Sequence, residues 1–450
     1  MGVSETVEGM AREADSALYL LSVLCVFLSV ALAVVFKIIR RSKSNAPPSP
    51  PKLPFIGNLH QLGTLPHRSL QALSCKYGPL LLLHMGQVPT LLVSSANMAA
   101  EIVRAHDVVF SNRPHTTADG LFFYGYKAVA FCNYGFKQKR KICVLELLST
   151  KSVHSVQLIC IEEVTEMICS ISEASASGRP YVDLSELLIA LSNNVMCRCV
   201  LGHKYDAPDG SRSFGEVGRK LLSQFTAFCV GDFFPSLGWV DVLTGRIRMF
   251  KTTLGSIDVF FDQVIAEHKA KMKKGEDEGQ SGKKDFMDIL LQLEEAGMLG
   301  IDLSQDNLKA LLVDIFIGEG DTSSTTMEWA MAELMKNPNT MEKVQEEVRR
   351  VVGNKAEVDE NDVKQMNYLK CVVKETLRLH PPAPLLLPRE IAFAVKLKGY
   401  DIPAKTTVIL NGWAIQRDPE IWDKPDEFLP ERLQDSEKGM PWNGVCHHFD

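Results

Sequence analysis

Apolar positions along this chain change period several times, and each change marks an element. Leu80–Met85 and Val88–Val93 are two short apolar runs separated by Gly-Gln, which predicts a β-hairpin. Ser95 stands where a helix cap belongs, ahead of a helix predicted over Ala96–Ala105. From Glu146 to Phe225 the spacing is mostly helical, with breaks at SASGRP and DAPDGS. Ile257–Lys273 reads as another amphipathic helix, and the charged, glycine-containing stretch Lys273–Asp285 as a surface loop. Ser304 opens a long helix expected to run to about Met335, and Lys355–His380 contains more helix. Val395–Ile402 and Thr406–Asn411 have the length and branching of short strands. The pattern predicts a mostly α body with a minor β part and no internal repeat.

One apolar run has a different meaning. Ser16–Phe36 carries no charge and would span about 31 Å as a helix, close to a hydrocarbon core of roughly 30 Å. Acids precede it and Lys37, Arg40, Arg41 and Lys43 follow it, which predicts a membrane anchor with the body on the cytosolic side. A cleaved signal peptide would carry its bases ahead of a shorter apolar run. No later segment reads as long and apolar enough to span. Pro47, Pro48, Pro50, Pro51 and Pro54 then make a stiff spacer, so the expected organisation is 1–36 with the anchor at 16–36, a basic and proline-rich hinge at 37–54, and a body at 55–450 that starts near Gly57. A formal net charge of −6 argues against nucleic acid as a partner. The 11 cysteines include no C-x-x-C pair, and Cys160, Cys169 and Cys229 sit among apolar residues, as reduced core thiols would.

The stretch GEGDTSSTT, from Gly318 to Thr326, puts glycines, acids and hydroxyls into the middle of an apolar helix. Leu311, Ile315, Gly318 and Thr322 share one helix face. A glycine there costs about 1 kcal/mol relative to alanine. That cost is useful where a flat ligand must press on the backbone, with Asp321 and Thr322 as an acid–alcohol pair for moving protons. The same residues also make a packing kink with solvated acids, and this stretch alone leaves both readings open. A second constellation, KETLRLHPPAPLLLPRE, sets Glu375 and Arg378 at i, i+3 on one face, and FLPERL adds Arg432. An isolated E-x-x-R is more often a surface ion pair.

In order, an anchor, a proline spacer, KICVLELLS, DTSSTTMEWAM, NYLKCVVKETLRLHPPAPLLLPRE and FLPERL closely resemble the plant microsomal branch of the cytochrome P-450 family, over nearly the whole chain. That resemblance implies the family's helical fold with small sheets, a haem cofactor, and a reaction that puts one oxygen atom from O2 into a small apolar, secondary-metabolite-like substrate. It implies a membrane-bound reductase carrying electrons from NADPH, and a single-pass location in the endoplasmic reticulum bilayer. By resemblance Gly318, Asp321 and Thr322 form the oxygen-side groove, and Asp321 and Thr322 deliver protons. Glu375, Arg378 and Arg432 form a structural triad, and Arg140 and Arg389 pair with haem propionates. His115–Tyr126 and Ala383–Leu387 match substrate-contacting segments.

Three departures stand beside the resemblance. Phe136 occupies the family's tryptophan position, four residues before Arg140, in a stretch about two residues short. Glu319 stands where a glycine is usual, and a carboxylate facing that pocket would carry a raised pKa. The cysteine loop F-x-x-G-x-R-x-C-x-G is absent up to Asp450, so the resemblance implies no iron ligand within these residues. Cys446, with His447 and His448, lacks the glycine-rich turn that tunes such a ligand and is expected to be tail. Two other readings follow: a non-catalytic, truncated membrane-anchored remnant, and a metal-dependent hydrolase using Glu319, Asp321 and the CHH tail. The hydrolase reading lacks ligand spacing of the H-E-x-x-H kind.

Overall fold

The structure is a computed structural model that describes residues 45–131, 150–205, 214–274, 284–295, 304–355 and 357–434, with residues 25, 28 and 29 of the N-terminal segment. The rest of the expected anchor, Phe136, Arg140, the Glu319 side chain and the CHH tail lie outside the described residues. The chain divides into two compact units, Met1–Pro47 with Ala394–Ile402, and Pro48–Phe393 with Pro403–Asp450.

The larger unit is built mainly from α1 (Pro66–Tyr77), α2 (Ala96–Ala105), α3 (Thr117–Phe122), α4 (Thr150–Ala176), α5 (Leu184–Leu201), α6 (Phe214–Phe225), α7 (Arg246–Lys274), α8 (Phe286–Glu295), α9 (Gln305–Glu319), α10 (Thr322–Lys336), α11 (Pro338–Val352), α12 (Glu360–Gln365) and α13 (Asn367–Leu379). Strands β1 (Leu80–Met85) and β2 (Val88–Val93) form the predicted hairpin, in register from Leu80 opposite Val93 to Met85 opposite Val88. Short strands β3 (Arg389–Glu390) and β6 (Thr407–Leu410) complete a sheet ordered β1-β2-β6-β3, in which β2 and β6 run parallel. Gly57 lies at φ 62, and a Cβ there would stand 2.1 Å from the His84 carbonyl oxygen, so only glycine lets the chain pass this strand so closely. Leu82 N–H donates to Pro48 O at 2.9 Å, which ties the proline stretch to the hairpin. In the smaller unit β4 (Val395–Leu397) and β5 (Tyr400–Ile402) pair antiparallel, and Asn45 Nδ2 donates to Gly399 O at 2.8 Å.

The core gathers Phe122, Val200, Leu221, Phe261, Leu290 and Leu312, one each from α3, α5, α6, α7, α8 and α9. α5 packs on α4 and α10. It corrects one expectation, because its mean hydropathy of 1.3 over 18 residues makes it long and apolar enough to cross a membrane. Leu188, Leu191, Met196, Cys197, Val200 and Leu201 are buried in the fold, so the apolar content serves the core.

Several boundaries differ from the sequence reading. The long helix is interrupted: α9 ends at Glu319 and α10 begins at Thr322, with Gly320 and Asp321 in a turn. Glycine entropy and the hydroxyl-rich run weaken that turn of helix. Ser95 and Ser304 hold the cap positions but make no side-chain cap bond to the helix backbone. The helix expected from Ile257 begins at Arg246, and the Val395–Ile402 strand is a hairpin folded at Lys398–Gly399. Cys229 is buried, whereas Cys169 is exposed.

Candidate active site

The shared face of Leu311, Ile315, Gly318 and Thr322 runs from buried to open. Leu311 is buried and Ile315 half-buried, while Gly318 and Thr322 are exposed. A Cβ built on Gly318 would meet nothing within 4 Å. The Thr322 hydroxyl donates to Gly318 O at 2.8 Å, and Thr326 Oγ1 donates to Thr322 O at 2.7 Å. These back-bonds let hydroxyl side chains stand on a helix while keeping their lone pairs available on its open side. Asp321 is exposed beside them. The backbone face at Gly318 is thus open, in a helix otherwise packed into the core.

Glu375 and Arg378 have no exposed surface, and Arg432 is close to buried. Arg378 grips Glu375 through two bonds, Nε to Oε2 at 2.8 Å and Nη2 to Oε1 at 2.9 Å. Arg432 Nε donates to the same Oε1 at 3.1 Å, and so does Leu429 N–H at 3.0 Å. The remaining guanidinium N–H groups reach main-chain carbonyls: Arg378 those of Gln416, Pro425 and Glu427, and Arg432 those of Asp423, Lys424 and Glu427. Two cations and one anion are tolerable in the interior because nearly every donor has a partner. At the end of α13, His380 stacks on Trp329 with ring centroids 3.8 Å apart and pairs with Glu333 at 2.9 Å. Burial holds its pKa below the ordinary histidine value.

Arg389 is buried in β3, and its Nη1 donates to Asp107 Oδ1 at 3.0 Å. Sequence reasoning passed over its neighbour Arg113, which donates from Nε to Ala130 O at 2.9 Å and from Nη1 to Leu387 O and Pro388 O at 3.2 and 3.0 Å. It also missed Arg417, whose guanidinium lies 4.1 Å from the Trp413 ring centroid and is pushed down to about 10 by burial. The contacts of Arg389 with Asp107 and of Arg113 with Leu387 and Pro388 join residues hundreds of positions apart, and no local spacing announces them.

Both segments matched to substrate contact carry strained backbone. Tyr124, Tyr126 and Leu386 lie at φ 50, 64 and 51, a region that side chains rarely adopt and that is concentrated at functional sites. Tyr126 is held by stacking on His115 at 4.0 Å and by its hydroxyl donating to Thr116 O. Tyr124 donates to Asp258 at 2.8 Å, and Lys309 bridges Asp258 and Asp262 at 2.9 and 2.8 Å. Asp119, buried in α3, is pushed up to about 6, first by burial and further by Asp232, against the Thr116 hydrogen bond and Arg113.

These parts define a mostly helical enzyme with an opened helix face and a buried Glu-Arg-Arg clamp. The chain belongs to the cytochrome P450 family, whose pattern matches residues 47–448. It is 49% identical over 446 residues to a phenylacetaldehyde oxime monooxygenase of Prunus mume, covering 96% of this chain and 83% of that one. It is 46% identical to desmethylyatein synthase of Sinopodophyllum hexandrum, covering 90% and 81%. Among solved structures, a zebrafish cytochrome P450 with progesterone superposes with a TM-score of 0.70 at 25% identity, over 86% and 90% of the two chains. The chain is thus a haem-dependent monooxygenase of the plant type, an oxidoreductase, and this favours that reading over the non-catalytic remnant. Among the described residues His268, Asp285 and Asp288 form a group able to hold a metal ion, and the Glu319 side chain and CHH tail of the hydrolase reading lie outside the described residues.

Replacing Glu375 by alanine leaves Arg378 and Arg432 buried without their anion, so stability should fall by about 3–5 kcal/mol. Urea unfolding checks this, against Glu360→Ala on exposed α12 as a control. The Asp119 carboxyl binds its proton more tightly in the folded state, so the fold loses stability as pH rises from the unfolded value of 3.8 towards about 6. Asp119→Asn should remove that loss, gaining at most about 3 kcal/mol at pH 7 and nothing at pH 3. Melting curves across this range test it; equal gains at both pH values would mean that the carboxyl is not the cause.

Proposed function

We propose that the open face at Gly318 receives the haem, that Asp321 and Thr322 move protons into the pocket above it, and that Arg389, Arg140 and the neighbouring Arg113 neutralise its propionates. When bound, haem supplies the oxygen chemistry that protein side chains lack. The carrying observation is the open space at Gly318, since a buried helix that leaves one backbone face bare accommodates a planar ligand there. Arg389 is buried, and a buried guanidinium suits a carboxylate because a buried anion needs a charged, hydrogen-bonding partner. Thr322 Oγ1 is poised to accept a proton from Asp321 or solvent and to pass its own onward. The 430s segment and the Glu375 clamp keep α13 and the chain after it in place, a positioning role.

The substrate is a small apolar plant metabolite with an aromatic or aldoxime-like group. Support comes from the relative that acts on phenylacetaldehyde oxime and from Phe123, Phe131 and Phe225, which pack together next to the strained Tyr124. Microsomes holding this chain extended by the family's cysteine-ligand loop, with a plant NADPH reductase, should convert phenylacetaldehyde oxime with uptake of label from isotopic oxygen gas. Absence of both turnover and protein-bound haem overturns the proposal. Gly318→Leu separates its parts. The side chain has room, so helix propensity should raise stability by about 0.5–1 kcal/mol while haem uptake falls. Unchanged haem content in this variant would place the cofactor elsewhere.

Ser16–Phe36 anchors the protein in the endoplasmic reticulum membrane with the body and its reductase partner on the cytosolic side. The charge-free run and the basic flank from Lys37 support this. Protease added outside intact microsomes should digest the body, and a protected body would reverse the topology.

A further inference from the structure

Asp314 lies on α9 one turn before Gly318, outside every motif in the sequence. Its Oδ2 accepts from Val129 N–H at 2.6 Å and from Ala130 N–H at 2.9 Å. The carbonyl of the same Ala130 accepts from Arg113 Nε at 2.9 Å. Arg113 Nη1 then donates to Leu387 O at 3.2 Å and Pro388 O at 3.0 Å. Two residues on, Glu390 N–H donates to Asn112 O at 2.7 Å. These bonds run in series from the long helix, past the end of the His115–Tyr126 segment, to the end of Ala383–Leu387. The residue at the middle, Ala130, gives its N–H to a carboxylate and its carbonyl to a guanidinium. The two bonds sit on the peptide groups either side of the Ala130 Cα, and each is strengthened by the charge on its own partner.

Both segments need such a fixture. Each holds non-glycine residues in the left-handed region, and strain of that kind persists only where the surroundings over-determine the backbone. The segments are about 260 residues apart in the chain and share no ladder, apart from the single Asn112–Glu390 bridge at their edge. We infer that Asp314 and Arg113 act as one strap that fixes the separation of these two segments, and so are positioning residues that set which substrates fit between them. The substrate clause rests on the monooxygenase reading; the strap rests on geometry alone.

Hydrogen–deuterium exchange on the full chain tests the strap. Asp314→Ala should speed exchange of the Val129 and Ala130 amides by about tenfold or more, since a charge-assisted acceptor is lost. Acting through Arg113, it should also speed Leu386 and Glu390, whose own acceptors are Ala383 O and Asn112 O. Asp314→Asn, which keeps an acceptor oxygen, should restore both regions. Arg113→Lys should loosen Val129 and Ala130 in return, because one ammonium cannot serve carbonyls on both sides. Changes confined to the amides beside each replaced side chain, or failure of asparagine to restore, overturn the strap. So does equal acceleration in β1 and β2, which would mean general loosening of the fold. Haem content of the same samples is read separately: a strap without haem retires the substrate clause and leaves the strap standing.

Discussion

The buried carboxylate of Glu375 is the constraint on which the rest of the larger unit hangs. A charge removed from water must find opposite charge and hydrogen bonds together. Glu375 finds two guanidiniums, and those guanidiniums draw in the carbonyls of Gln416, Asp423, Lys424, Pro425 and Glu427. One acid thus organises a stretch with almost no regular structure of its own. It fixes the end of α13, and with it the start of Ala383–Leu387. Such a network contributes specificity more than net stability, because its Coulombic gain is set against desolvation.

The helix centre around Gly318 follows a different logic. α9 is packed on most sides through Leu308, Ala310, Leu312, Val313 and Phe316, yet its end is open. Glycine, an acid and hydroxyls weaken the helix enough to divide it, and the Thr322 back-bond to Gly318 O spans the division. The helix gives up continuity and gains a bare backbone face next to an acid and hydroxyls.

Around that face, strained and buried polar groups are held by partners on distant elements. Tyr124 leans on α7, and Lys309 of α9 bridges the same acids. Asp314 and Arg113 pass one main-chain segment between them. Asp119 is buried, and that burial is the largest influence raising its carboxyl pKa. The strained segments are thus held in part by side chains outside the motifs.

Local pattern was enough for the hairpin over Leu80–Val93, because two short apolar runs and a Gly-Gln turn between them are properties of adjacent residues. It was enough for most helices, and for Glu375 with Arg378, because i, i+3 spacing is fixed by helix geometry. Arg432 came from a motif resemblance, and its distance from Glu375 was decided only by folding. Caps at Ser95 and Ser304 failed in their bonds, since a cap depends on a side-chain rotamer and not on residue type alone. The division of the long helix and the extra turns before Ile257 were likewise decided by packing against neighbours. The apolar content of Leu184–Leu201 was ambiguous by composition, because core and membrane ask for the same residues; contact with α4 and α10 resolved it. Arg113 and Asp314 carried no signal in sequence, because each works by reaching main-chain atoms far away in the chain. Chain-neighbour physics determined the elements and the family's motifs, and long-range polar satisfaction determined how the site is held.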